Sequence, residues 1–105
     1  MDFAVIINDS SEVSYLQRRY EGTLLVNGLE YLKYTIMPIL TSVNDSVYVC
    51  VNKLDNNLTN VALYLGNDKI STMTLFPDTI ALTFDSTGVY NLRMDAAYFF
   101  NTMGL

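Results

Sequence analysis

Histidine and tryptophan are missing from this chain of 105 residues, cysteine occurs once, and only 16% of the residues are charged. Each shortage closes a class of function. Without histidine, the commonest general base, nucleophile activator and metal ligand is gone. Cys50 alone can form no intramolecular disulfide, no Cys–His couple and no zinc cluster. The basic residues are dispersed as Arg18, Arg19, Lys33, Lys53, Lys69 and Arg93, so the clustered cations that grip nucleic-acid phosphates are lacking. The five glycines are isolated and none precedes Lys-Ser/Thr, which removes the phosphate cradle. The charge-free stretch Tyr34 to Asn44 holds Pro38 and several hydroxyls and is too short for a bilayer. Met1-Asp2 offers no basic leader and Phe3–Ile7 no small-residue cleavage site, so synthesis in a reducing cytoplasm without a signal peptide is expected. No cofactor, metal, nucleic acid or membrane partner and no enzymatic activity are expected.

What remains is apolar. Half of the residues are hydrophobic, with eight tyrosines, five phenylalanines and five methionines, the opposite of a disordered composition. One core fits this length, so residues 1–105 are read as a single domain. A domain this small cannot hide so many apolar groups. Clustered, the surplus would mark an association site; scattered singly, it would mean nothing. The net charge of −5 comes from eleven carboxylates against six cations, the carboxylates spaced about one per ten residues and falling at turn positions such as Asp9, Asp45, Asp55, Asp68 and Asp85, with no acidic run and no Asp-x-Asp-x-Asp-Gly calcium loop. Asp55-Asn56-Asn57 and Asn67-Asp68 therefore read as turns.

Two-residue alternation dominates, in short runs punctuated by Asn, Asp, Gly and Pro, which is the pattern of half-buried antiparallel strands. Runs fall at Asp2–Ile7, Thr23–Val26, Leu29–Ile36, Ser46–Leu54, Val61–Leu65, Lys69–Phe76, Thr79–Phe84 and Val89–Asp95. Asn27-Gly28 supplies the two positive φ angles of a type I′ hairpin. Pro38 removes a donor and sends Met37–Leu40 to an edge or a crossover. In Thr79–Phe84, Ile80, Leu82 and Phe84 share a face; in Val89–Asp95, Tyr90, Leu92 and Met94 do. Val47, Val49 and Val51 form another inward set, which turns Cys50 outward. One short helix is admissible near residues 10–20, where Asp9 and Glu12 have capping-box spacing and Gly22 follows, although an extended reading fits almost as well. The tail Ala96–Leu105, with Tyr98, Phe99 and Phe100 in succession, is either a last strand or a segment that docks on a neighbour.

The stretch Asp85-Ser86-Thr87-Gly88-Val89-Tyr90-Asn91-Leu92 resembles the E–F corner of immunoglobulin-like sandwiches, where a tyrosine folds back onto main chain. The resemblance implies that Gly88 permits the corner and that Tyr90 buries its ring while its hydroxyl bonds the backbone. It departs from the family where Ser86 replaces the usual acid, where Leu92 stands in place of the second cysteine, and where tryptophan is absent. The expected fold is thus all-β, mainly antiparallel: a single immunoglobulin-like β-sandwich of about seven to eight strands. In style, such a domain resembles accessory domains of tailed-phage virions.

Three functions follow as expectations. Foremost is a non-catalytic structural or assembly protein, a bacteriophage virion component, binding itself or other subunits as a homo-oligomer. Phe3, Tyr98, Phe99 and Phe100 are its expected contact residues, with burial in the domain's own core as the equal alternative. The others are a small acidic inhibitor or adaptor that binds a host enzyme, and a carbohydrate-binding β module.

Overall fold

A computed structural model describes residues 1–9 and 19–98, with the backbone alone described at Tyr98. These residues form nine strands and no helix: β1 (Asp2–Asn8), β2 (Tyr20–Val26), β3 (Leu29–Met37), β4 (Leu40–Ser42), β5 (Val47–Lys53), β6 (Leu58–Leu65), β7 (Asp68–Met73), β8 (Asp78–Leu82) and β9 (Gly88–Tyr98). They make a two-sheet β-sandwich. One sheet runs β4-β1-β9-β6-β7 and the other β2-β3-β5-β8, with every pairing antiparallel except β1 with β4. Residues 10–18, which hold most of the expected helix, lie outside the described residues; its last residue, Tyr20, opens β2 instead.

The strand count exceeds the expected seven to eight because Pro38 does not simply end a strand. The chain leaves β3 at Met37, changes sheet through Pro38-Ile39, and adds the three-residue β4 as an edge beside β1, with Ile6 donating its N–H to the Ile39 carbonyl at 2.8 Å. Such an edge needs few donors, which is why a proline can lead into it.

Alternation builds the core. Phe3, Val5 and Ile7 of β1 and Leu92 and Met94 of β9 face inward from the first sheet, joined by Leu58, Val61 and Leu63 of β6. Leu32, Tyr34 and Ile36 of β3 and Val47, Val49 and Val51 of β5 meet them from the second. The last three are essentially inaccessible, while Cys50 between them faces the outer side and accepts a 3.4 Å hydrogen bond from the Thr79 hydroxyl. Ile80 and Leu82 of the edge strand β8 pack on this core only partly buried.

The β2–β3 hairpin turns at Asn27 (φ 52°) and Gly28 (φ 80°), the pair of left-handed residues a type I′ turn requires. The β6–β7 hairpin turns at Gly66-Asn67 with positive φ at Gly66 only, the type II′ arrangement. The β2–β3 pairing slips between Leu24 and Leu25 of β2, so that Tyr31 of β3 is an extra residue. This bulge lets the neighbours Tyr31 and Leu32 both be buried, which strict alternation forbids.

The sandwich has two distinct ends. At one, which we call the corner end, lie the start of β9 with Gly88, the end of β1, β4 and the loop 43–46. At the other, the hairpin end, lie the Asn27-Gly28 turn, the connection from Lys53 to Leu58, the connection from Met73 to Asp78, and the end of β9, where Tyr98 stands opposite Leu58.

Candidate interaction surface

The structure distributes the expected site residues among different roles. Phe3 is only 8% exposed and points into the interior, its ring stacked 6.4 Å from Tyr20, which in turn lies 5.6 Å from Tyr34. The three rings link the two sheets, so Phe3 is taken up by this domain's own core and is not presented to a partner. Tyr98 ends β9 through backbone pairing with Leu58, extending that strand past the expected Asp95. Phe99 and Phe100 lie outside the described residues.

Gly88 has φ +153°, a backbone conformation that L side chains rarely adopt. Two residues on, the Tyr90 hydroxyl donates to the Ser86 carbonyl at 2.8 Å and also lies 2.8 Å from the Ser86 hydroxyl. The Tyr90 ring is half-buried against Phe84, with centroids 4.2 Å apart. The corner is a structural device that closes the Asp85–Thr87 turn onto the last strand, and β9 itself lies between β1 and β6.

Ile6, Tyr20, Met37, Tyr48, Ile70 and Val89 reach solvent, as do four leucines, and none of these is among the expected contact residues. Leu25 is 56% exposed, Leu29 59%, Leu54 45% and Leu75 81%. Leu25 and Leu29 flank the β2–β3 turn, Leu54 follows β5 and donates its N–H to the Tyr31 carbonyl at 2.9 Å, and Leu75 sits in the β7–β8 connection. All four belong to the hairpin end. Different elements thus bring to one end four large aliphatic side chains that no local pattern unites. Each adjoins a turn signal (Asn27-Gly28, Asp55-Asn56, Pro77), and an exposed leucine beside a turn is the sequence signal that could have found them.

Two carboxylates at this end are spent on turns. Asp55 Oδ1 accepts the Asn57 N–H at 2.7 Å and Asp78 Oδ1 the Thr79 N–H at 2.8 Å. On the outer face of the first sheet, Arg93 lies 4.3 Å over the Tyr64 ring of the neighbouring strand, and its Nε is 3.2 Å from Asp95 Oδ2, an ion pair whose geometry leaves the buried Nε without a hydrogen bond. Among the described residues no three Cys, Asp or Glu side chains gather as a metal site, and no helix is long and apolar enough to cross a membrane. Among the described residues, one buried side chain is electrostatically perturbed. Tyr34 is pushed above the ordinary tyrosine value of 10.0, by burial first and then by its hydrogen bond to Tyr20 and the charge Tyr20 would carry.

No protein-family model, no curated protein and no solved structure matches this chain.

Proposed function

We propose that this domain is a non-catalytic assembly protein, a virion component in the style its sequence resembles, and that it works by binding other copies or neighbouring subunits through its hairpin end. One observation carries the reading: Leu25, Leu29, Leu54 and Leu75 are all exposed at the end where β9 runs out. Singly exposed leucines are ordinary, but a group of them on one end of a small domain is the kind of patch that marks association. The sequence adds to it, since Phe99 and Phe100 follow directly on Tyr98. In the proposal these aromatic residues join the leucines as contacts.

Light scattering behind a sizing column tests this. The unaltered protein is expected to gain mass with concentration toward a defined oligomer. Leu29→Asp combined with Leu75→Asp is expected to hold it at the 11.9 kDa of one chain. A monomer at every concentration, or an oligomer indifferent to both changes, would reject the hairpin end as the contact surface.

A further inference from the structure

The corner end carries a different surface. A depression of 440 Å³ is lined by Met37, Pro38, Thr41, Asp45, Ser46 and Tyr48. We infer that it is a binding site for a neutral saccharide, with Tyr48 as the platform for a sugar ring and Asp45 as the acceptor for its hydroxyls. The inference is independent of the assembly reading, because the two surfaces lie at opposite ends of the sandwich.

The platform comes from strand geometry. Tyr48 is the outward residue before the inward Val49, and it stands between Met37 of β3 and Ala81 of β8 in one cross-strand row. Alanine on the β8 side is too small to cover the phenol ring, and Tyr48 as a residue stays 43% exposed. A ring with one open face presents an apolar plate with a polar tip. A pyranose matches it, having a C–H face to lay on the plate and a rim of hydroxyls to satisfy elsewhere.

The acceptor is held in place before any ligand arrives. The Thr41 hydroxyl, on a fully buried residue, donates to Asp45 Oδ2 at 3.0 Å, which orients the carboxylate and leaves Oδ1 for another donor. The loop that carries it is pinned on three sides. Val43 N–H donates to the Asn8 carbonyl at 3.2 Å, Asn44 N–H to the Phe84 carbonyl at 2.8 Å and Asp45 N–H to the Ser42 carbonyl at 3.1 Å. Binding therefore orders little that is not already ordered, the condition under which a few contacts suffice.

Charge favours a neutral ligand. A phosphate or acidic sugar would face Asp45 with none of the lining residues cationic. A cationic peptide meets only this one carboxylate, one of whose oxygens already accepts from Thr41. Arg19, just before β2, keeps its Nε 3.6 Å from Glu21 Oε2. An open site with one ring and one carboxylate implies a Kd on the order of 1 mM.

The test is a nitrogen-15 amide titration of the whole chain with maltotriose, cellotriose, mannotriose and chitotriose, and with an acetylated Arg-Gly-Arg peptide, each to about 20 mM. Saturable shifts confined to residues 37–48 are expected with at least one saccharide and not with the peptide. Tyr48→Ala is expected to weaken that binding about tenfold, while Tyr48→Phe keeps the plate and stays within about twofold. Asp45→Ala provides a second variant should Tyr48→Ala disturb the sheet, with a loss of about fivefold expected. Silence from every saccharide, shifts elsewhere on the chain, a response to the peptide alone, or saccharide binding unchanged in the variants would each overturn the assignment.

Discussion

Leu82 and Leu92 both face the interior, but they do so at different depths, and the sequence could not separate them. Leu92 sits on a central strand and is 2% exposed, whereas Leu82 closes the edge strand β8 and is only partly buried. Removing a buried leucine side chain loses its transfer free energy and leaves a cavity whose cost depends on how well the site collapses. Leu92→Ala is expected to cost about 2–5 kcal/mol, and Leu82→Ala no more than about 2 kcal/mol, in denaturant unfolding. Cys50→Ser, on the outer side, should stay within about 0.5 kcal/mol. A silent Leu92→Ala would mean that β9 is turned the wrong way round.

Tyr34 ties one side chain to a pH dependence. Its folded value is raised above 10.0, chiefly by burial. The unfolded chain therefore loses this proton at a lower pH than the fold does. Above roughly pH 10 the native state holds the extra proton, so stability falls as pH rises, whereas below that range the contribution is complete. Unfolding monitored between neutral and strongly alkaline pH should show this decline, and Tyr34→Phe should make it shallower. An identical alkaline limb in the variant would remove burial of that phenol as the cause.

At the scale of elements, the strands were legible where side-chain period and turn chemistry agree. Val47, Val49 and Val51 alternate without interruption and are all inaccessible, and the inward trio Tyr90, Leu92 and Met94 lies as alternation predicts. Asn27-Gly28 announces its hairpin because few other pairs tolerate two left-handed residues. That turn makes its own test: Gly28→Ala places a Cβ at φ +80° and is expected to cost about 1–2 kcal/mol, read as a lower denaturant midpoint. An unchanged midpoint would deny the turn its role in fixing the pairing.

The bulge at Tyr31 and the sheet change through Pro38-Ile39 were not legible, for a shared reason. Both depend on what lies across from the strand, and one chain read alone contains the period but not the partner. The corner shows the same divide. The spacing from Ser86 to Tyr90 anticipates a hydroxyl folding back, and the hydroxyl does bond the Ser86 carbonyl. Nothing in that spacing says that β1 and β6 flank the strand that carries it.

For the molecule as a whole, composition foretold an apolar surplus but not its address. Of the expected aromatic contacts, Phe3 goes to the core, where its ring stacks on Tyr20 beside Tyr34 and joins the two sheets. Part of the surplus that reached solvent is aliphatic: Leu25, Leu29, Leu54 and Leu75 are up to fifty residues apart and share one end only because the topology returns three connections to it. Long-range convergence of this sort leaves no local pattern to read.

Hydroxyl-radical footprinting of the protein at low and high concentration locates the contact surface directly, because it reports exposure leucine by leucine. The expected result is loss of modification at Leu25, Leu29, Leu54 and Leu75 on concentration, with Ile6 and Val89 at the corner end unchanged. Protection that falls instead on Ile6 and Val89, or on none of these residues, would contradict assembly through the hairpin end.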